Sequence, residues 1–221
     1  MQVALSTNNF SPAVPALVLR NVASDQSGGL ARSFGKDEEI YGEGDSATWV
    51  FKVISGVVRS CKILSDGRRQ IDAFHVAGDI FGIERGTTYR FSAEAVGPAT
   101  VQALRRCNLE ALATSDTALA RQVVATALLN LERAQQHMIL LGRKSATEKV
   151  ATFLLEMADR VHVDAIELSM SRGDIADYLG LTIETVSRTL TQLERDGVIA
   201  VPTVRRNIVL RNKAALRRLN A

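Results

Sequence analysis

Apolar and polar positions change their spacing about halfway along the chain. From Leu30 to Arg106 the apolar residues form short runs separated by glycines such as Gly42, Gly56 and Gly82. Beyond Asn108 the apolar residues recur three or four positions apart, which is the period of an amphipathic helix. The pattern therefore predicts an α+β chain in which a strand-rich first half is followed by helices.

Short strands are predicted in the glycine-rich part, where β-branched and aromatic residues form brief runs. Ser65-Asp66-Gly67 between two of these runs is a hairpin signal. Many short strands joined by glycine turns predict a jelly roll, which we place at residues 30–116. Residues 1–29, rich in proline, serine and asparagine, are predicted to be a flexible arm. The predicted strands are Thr48–Ser55, Val57–Ile63, Arg69–His75, Phe91–Val96 and Thr100–Arg105.

A long helix is predicted from Thr117 to Arg143, and its apolar stripe alternates four and three residues apart. This is the spacing of a coiled-coil seam, so we expect residues 117–144 to be a dimerisation helix. The alternative is that the stripe packs on the rest of the same chain. The predicted seam consists of Val124, Leu128, Leu131, Gln135 and Met138.

Residues 145–221 are predicted to form a separate unit with a helix-turn-helix at its centre. Ser145 and Glu148 form a capping box that starts one helix, which runs to about Val161. The stretch from Ser171 to Asp196 then shows two short helices joined by a tight turn. The small, glycine and apolar positions that give the helix-turn-helix spacing are Ala176, Gly180 and Val186.

The outer face of the second of these helices carries only polar residues. Such side chains suit base edges in DNA, because arginine pairs with guanine, glutamate accepts from cytosine, and hydroxyls reach several edges. A solvated face with a Glu184–Arg188 ion pair is the alternative interpretation. The net charge of +3 is small, but the segment from Gly197 to Ala221 contains six Lys or Arg and no acid, which favours DNA. The polar face consists of Glu184, Ser187, Arg188 and Thr191.

Two further strands, Val198–Val201 and Ile208–Leu210, are predicted to form a wing around a basic tip. Arg205 and Arg206 at this tip are expected to approach the phosphate backbone. Asn212 is predicted to cap a last short helix.

The run G-L-T-I-E-T-V-S-R, from Gly180 to Arg188, resembles the recognition helix of the CRP/FNR superfamily of bacterial transcription regulators. Its E-T-V-S-R portion is similar to the FNR and FixK branch. The fragments G-E-G-D (Gly42–Asp45), S-G-V-V-R (Ser55–Arg59) and G-D-I-F-G (Gly78–Gly82) resemble the cyclic-nucleotide-binding roll of that superfamily. The resemblance implies a β-roll, a long dimerisation helix and a C-terminal winged helix-turn-helix.

The resemblance also implies a function. A homodimer is expected to bind double-stranded DNA at a palindrome similar to TTGAT-N4-ATCAA and to contact RNA polymerase. It is expected to activate genes used at low oxygen, such as respiratory, nitrogen-fixation or denitrification genes. The expected base-reading residues are Arg188 on guanine, Glu184 on its paired cytosine, Ser187 on a neighbouring thymine and Ile183 on a thymine methyl group. The expected contacts to the DNA backbone are Ser171, Thr182, Thr185, Thr191, Arg205 and Arg206.

The ligand cassette of the roll departs from that of cyclic AMP binders, in which Gly-Glu-Leu is followed by Arg-Ser. Ile83 stands where the ribose-binding acid belongs, and Phe91 stands where the phosphate-binding arginine belongs. Arg90 is one position early, and one position along a strand turns the side chain to the other face. We therefore predict no bound nucleotide, with Ile83 and Phe91 filling the vacant pocket.

Redox cofactors are not expected either. No cysteine precedes Cys61, so the N-terminal cysteine cluster of oxygen-sensing relatives is missing. His75 and Cys61 are unclustered, which favours packing over haem ligation. A regulator without cofactor or small-molecule effector is the prediction, and one gated by a nucleotide, haem or another ligand is the alternative.

Enzymatic function is disfavoured by the motifs. The sequence contains no P-loop, no dinucleotide fingerprint and no metal-spaced set of histidines and cysteines. Two cysteines provide no disulfide framework and indicate a reducing compartment. No apolar run reaches membrane-spanning length, and no leader peptide is recognisable before Arg20, so we expect a cytoplasmic protein without a membrane partner.

Overall fold

The computed structural model describes residues 30–107, 117–161, 165–202 and 207–220. The predicted arm, the segment 108–116 and the wing tip with Arg205 and Arg206 lie outside the described residues. A strand-rich unit, a long helix and a winged helix-turn-helix follow each other in the predicted order, so the predicted fold class is confirmed.

The described residues place eight strands in the N-terminal unit. They are β1 (Leu30–Phe34), β2 (Glu39–Tyr41), β3 (Trp49–Ser55), β4 (Val57–Ile63), β5 (Arg69–Val76), β6 (Ile80–Phe81), β7 (Ser92–Ala95) and β8 (Ala99–Arg105). Two antiparallel sheets result, with strand orders β1-β8-β3-β6 and β2-β7-β4-β5. Alternate residues face the core, as in β8, where Val101 and Ala103 are buried and Gln102 between them is not.

The five predicted strands are present, each within one residue of its predicted ends. The strands β1, β2 and β6 were not predicted. The strand β1 is exposed along most of its length, and β6 has two residues, so neither carries the alternation that indicates a strand.

A tight turn at Gly56 joins β3 to β4. The φ angle of Gly56 is 80°, which favours glycine. A Cβ atom there would lie 2.4 Å from the Pro98 carbonyl oxygen and 2.7 Å from Ala99 Cα, so a side chain at this position would collide with backbone.

Two helices connect the roll to the C-terminal unit: α1 (Thr117–Arg143) and α2 (Ala146–Val161). The predicted capping box precedes α2, where the Ser145 N–H donates to Glu148 Oε2 at 2.7 Å and the Glu148 N–H donates to Ser145 Oγ at 3.4 Å. The predicted seam on α1 is uncovered in the single chain. Its apolar members Val124, Leu128, Leu131 and Met138 are 54–68 % exposed, and Gln135 is exposed as well.

The C-terminal unit contains β9 (Ala165–Glu167), α3 (Arg172–Leu179), α4 (Ile183–Arg195), β10 (Ile199–Ala200), β11 (Asn207–Leu210) and α5 (Lys213–Asn220). The strands form an antiparallel sheet in the order β10-β11-β9. The sequence did not predict β9, which is only three residues long. Phe153, Leu179 and Leu193 are buried in the core that joins α2, α3 and α4. Within the described parts of the chain, no helix is both long and apolar enough to span a membrane.

Candidate nucleic-acid interface

The turn between α3 and α4 has the predicted helix-turn-helix geometry. Gly180 ends α3 in a left-handed conformation with φ 60°, and its N–H donates to the Ala176 carbonyl. Thr182 then caps α4, because its Oγ1 accepts from the Thr185 N–H at 3.2 Å. Val186 is fully buried where the two helices cross. These local sequence signals therefore end α3, start α4 and define the turn between them.

Helix α4 divides into an inner and an outer face. Val186, Leu190 and Leu193 are buried on the inner face, together with Thr189. The predicted base-reading residues all lie exposed on the other side, so the structure brings these four together on one surface. They are Ile183, Glu184, Ser187 and Arg188. Because the outer face has no packing partner within the described residues, it is available to a ligand outside the chain.

The charge of the outer face suits base recognition. Hydrogen bonds from its own backbone N–H and from Thr182, together with the nearby Arg188, hold the pKa of Glu184 below its ordinary value. An ionised glutamate is an acceptor only, which is what the amino group of cytosine requires. The arginine beside it supplies donors for a guanine edge.

Four of the six predicted backbone contacts, Ser171, Thr182, Thr185 and Thr191, belong to the described residues. Ser171, Ser187 and Thr191 line one groove between the start of α3 and the middle of α4. The hydroxyl of Ser171 already caps α3, where it accepts from the Asp174 N–H at 3.0 Å. Thr185 is half-buried, whereas Thr182 and Thr191 are exposed. Of the predicted backbone contacts, Ser171 and Thr191 thus share one groove, and Thr182 and Thr185 lie together at the start of α4.

Arg172 also lines this groove and was not among the residues predicted from the sequence. It is the first residue of α3 and follows the capping Ser171 directly. A cation at the start of a helix opposes the helix dipole, and this conflict with local preference is the sequence signal that could have identified it.

A cavity of about 310 Å³ lies where the roll meets α1 and α2. Ile83 and Phe91 line the cavity and leave it open, so the expectation that they fill it is wrong. Arg90 lines the same space, and its Nε donates to Glu84 Oε2 at 2.8 Å. The predicted reversal of Arg90 fails because β7 begins only at Ser92, and the alternation of a strand does not extend back to residues 90 and 91.

His75 borders the cavity and is engaged within the roll. Its ring stacks on Phe81 with centroids 4.9 Å apart, and its Nε2 lies 2.7 Å from Ser60 Oγ. Burial lowers the pKa of His75 to about 4, so the ring is neutral near pH 7. Burial likewise raises the pKa of the Cys61 thiol to about 11. Among the described residues, no group of three His, Cys, Asp or Glu side chains could hold a metal ion.

Comparison with known proteins agrees with this geometry. Two family models match: the cyclic nucleotide-binding domain over residues 31–116 and the Crp-like helix-turn-helix domain over residues 148–219. The nitrogen fixation regulation protein FixK of Azorhizobium caulinodans is 49% identical over 217 residues, covering 91% of this chain and 87% of the relative. The corresponding protein of Rhizobium meliloti is 40% identical over 186 residues, covering 84% and 85%.

A solved structure is also similar to this chain. FixK2 from Bradyrhizobium japonicum is 50% identical, with a TM-score of 0.84 over 88% of this chain and 98% of its own. The fold and the exposed polar helix define a DNA-binding transcription regulator of the winged helix-turn-helix class. The chain belongs to the CRP/FNR family, in its FixK-like branch, which confirms the resemblance carried by the run from Gly180 to Arg188.

Proposed function

We propose that this regulator binds a palindrome similar to TTGAT-N4-ATCAA as a homodimer and activates transcription without a small-molecule effector. The observation that carries the proposal is the outer face of α4, where Glu184, Ser187 and Arg188 are exposed together with an ionised carboxylate beside the guanidinium. Arg188 reads guanine and Glu184 accepts from the paired cytosine. Ser187 and Ile183 contact neighbouring thymines.

The homodimer is supported by the uncovered seam on α1. Four apolar side chains that are 54–68 % exposed at coiled-coil spacing form a stripe that a second copy would cover. A dimer also presents two copies of α4 to two half-sites, as a palindrome requires.

The biological role follows from the relatives. Those with similar sequences are named as nitrogen fixation regulators, so we propose that this chain controls genes of low-oxygen metabolism, including nitrogen fixation. Activation would proceed in the cytoplasm through contact with RNA polymerase.

Independence from an effector is supported by the cassette. Ile83 and Phe91 replace the two polar groups that a cyclic nucleotide needs, and Arg90 is neutralised by Glu84. A ligand shifts a conformational equilibrium only by its different affinities for the two states, so a pocket that does not bind contributes nothing. The open cavity favours the second candidate, a ligand-gated regulator of the same family.

The test is a titration of purified protein, checked for bound small molecules, against a labelled palindromic duplex. We expect binding at nanomolar concentration that is unchanged by cyclic AMP, cyclic GMP or anaerobic handling. A duplex with scrambled half-sites is the control for non-specific binding. Binding that requires one of those additions would establish the ligand-gated alternative.

The dimer is tested by the double variant Leu128→Glu and Leu131→Glu. Charges placed in the seam should separate the protomers and abolish high-affinity binding to the palindrome. Gln136→Glu adds a negative charge to the same helix off the seam and should leave the dimer intact. Sedimentation that shows an unchanged dimer for the double variant would contradict the proposed interface.

A further inference from the structure

Helix α3, the first helix of the helix-turn-helix, is bound at its start by the roll. Asp174 Oδ1 accepts from Arg59 Nη1 of β4 at 3.1 Å and from Arg69 Nη2 of β5 at 2.6 Å. Asp177, one turn later, accepts from Arg69 Nε at 2.8 Å. The carboxylate of Asp174 thus connects the helix-turn-helix to two strands of the roll that lie more than a hundred residues earlier in the chain.

The arginine that reaches Asp174 is fixed within the roll. Arg59 is only 5% exposed, and its Nε donates to Glu94 at 2.8 Å while its Nη2 donates to Asp37 at 3.0 Å. Both nitrogens at the tip and the Nε are therefore bound to carboxylates. Because a buried guanidinium that loses one partner keeps its desolvation cost, such a network resists partial opening.

Asp174 both caps α3 and binds the roll. Its Oδ2 accepts from the backbone N–H and the hydroxyl of Ser171, which completes the capping box of α3, while Oδ1 faces the roll. Burial opposes its ionisation, but the bonds from Ser171 and the charges of Arg59 and Arg69 outweigh burial and lower the pKa of Asp174. The start of α3 and its attachment to the roll consequently form one unit.

The other end of α3 is bound by α1 and α2. His137 of α1 lies 2.8 Å from the Tyr178 carbonyl oxygen, and Lys149 of α2 donates to the Leu179 carbonyl at 3.0 Å. A cation at the last carbonyls suits the negative end of the helix dipole. The Tyr178 ring stacks on His137 at 4.2 Å and packs on Phe74 of the roll at 5.2 Å.

We infer that Arg59, Arg69, Asp174 and Asp177 are positioning residues that hold the recognition helix in its DNA-binding orientation. We call these four residues the α3 clamp. The inference rests on the proposed palindrome binding, in which two copies of α4 must meet two half-sites at a fixed spacing. Without the clamp, the helix-turn-helix can pivot relative to the roll, and the binding-competent fraction of the protein falls. Apparent affinity falls by the same factor, whereas base preference does not change.

Neighbouring arginines offer a matched pair of variants. Arg69→Gln removes the bonds to Asp174 and Asp177, whereas Arg68→Gln removes an equal charge from the exposed hairpin, where Arg68 pairs with Asp66. We expect Arg69→Gln to raise the Kd for the palindrome about tenfold. The ratio of Kd values between the palindrome and a single-base mutant should stay constant. Arg68→Gln should match the wild type.

Asp177→Asn removes one of the two bonds from a half-buried position and supplies a milder variant if Arg69→Gln folds poorly.

A distance measurement distinguishes the role of Arg69 in the clamp from a direct contact between Arg69 and DNA. Spin labels at Ser55 of the roll and Gln192 of α4 are placed in a Cys107→Ser background, and labelled protein is mixed with excess unlabelled protein. We expect a narrow distance distribution for wild type and Arg68→Gln and a broad one for Arg69→Gln, all without DNA.

Weaker binding with a narrow distribution would make Arg69 a DNA contact and overturn the clamp. Equal behaviour of the two variants would also overturn it. If the wild type ignores the palindrome while the distributions differ as expected, the clamp stands and the proposed DNA target is wrong.

Discussion

Helices α3 and α4 follow each other in the chain, yet their polar side chains have opposite surroundings. In α3, Asp174 and Asp177 bind arginines of the roll, and the Tyr178 hydroxyl donates to Glu156 of α2 at 3.2 Å. In α4, Glu184 and Arg188 point away from the domain and are exposed. One helix uses its charges inside the molecule, and the other presents them outside.

The difference separates stability from recognition. Polar groups satisfied within the protein contribute to the free energy of folding, and changing them leaves buried partners unpaired. Exposed polar groups contribute little to folding, so changing them should affect binding almost alone. The comparison therefore predicts losses of stability in α3, with DNA affinity lowered only indirectly, and direct losses of DNA affinity in α4.

The largest effect is expected for Tyr178→Ala in α3. The ring packs against Phe74, His137 and Phe153, so its removal leaves a cavity shared by the roll, α1 and α2. We expect the free energy of unfolding to fall by about 3–5 kcal/mol. Urea titration at fixed protein concentration measures this. Tyr178→Phe keeps the ring and loses only the bond to Glu156, so it should lose about 1 kcal/mol. Equal losses for both variants would show that the hydroxyl and not the packing stabilises this junction.

The next effect concerns Asp174→Asn and depends on pH. The variant loses the charge that binds Arg59 and Arg69, and we expect a loss of about 3 kcal/mol in unfolding free energy near pH 7. The pKa of Asp174 is lowered in the folded protein, so the folded state releases its proton more readily than the unfolded state does. The stabilisation is therefore fully present above the ordinary pKa of 3.8 and is lost as the pH falls through the lowered pKa.

Urea titrations of the wild type and Asp174→Asn should consequently converge as the pH is lowered towards that range. Glu184→Gln is the control on α4, where the carboxylate is exposed. The pKa of Glu184 is also lowered, so the pH dependence has the same sign, but its difference from wild type should be much smaller than that of Asp174→Asn at every pH. A gap between wild type and Asp174→Asn that stays constant with pH would mean that ionisation of Asp174 does not stabilise the interface.

Local features of the sequence predicted α4 well and the junction at α3 poorly. The caps Ser171 and Thr182 and the glycine between the helices act within four residues, so the chain itself reveals them. The bonds from Arg59 and Arg69 to Asp174 join residues 115 and 105 positions apart, and only packing brings them together. The isolated arginine in the apolar run of β4 was the available signal.

In the ligand cassette, the prediction for the direction of Arg90 failed for a different reason. The resemblance predicted that Ile83 and Phe91 stand where cyclic AMP binders carry polar ligands, and this stays a prediction. The direction of Arg90 depended on where β7 begins, and strand ends are the part of a fold that sequence predicts least sharply. Because Arg90 and Phe91 both precede β7, strand alternation does not set the direction of Arg90, and both residues line the cavity.

A smaller effect, on DNA affinity, is expected for Arg188→Ala in α4. Loss of the two hydrogen bonds that its guanidinium donates to guanine should weaken DNA binding by about 1–3 kcal/mol and relax discrimination at that base pair. The unfolding free energy should change by less than about 0.5 kcal/mol. Arg195→Ala removes an equal charge from the exposed last turn of the same helix and should keep base preference. Binding weakened evenly across all sequences by Arg188→Ala would make Arg188 a phosphate contact instead of a base reader.

The smallest effect is expected for Thr182→Ala, at the residue that joins the two helices. Its side chain caps α4 and lies 3.0 Å from the Thr185 hydroxyl, so the variant leaves the Thr185 N–H without its acceptor. We expect a loss of about 1 kcal/mol in unfolding free energy, because an exposed cap stabilises by about that amount. Since Ile183 and Glu184 lie in the turn that Thr182 starts, fraying there should also weaken palindrome binding. Thr182→Ser retains the hydroxyl and should restore both quantities. If Thr182→Ala weakens binding while stability is unchanged, Thr182 acts on the DNA backbone directly, and its role belongs to the outer face of α4 alone.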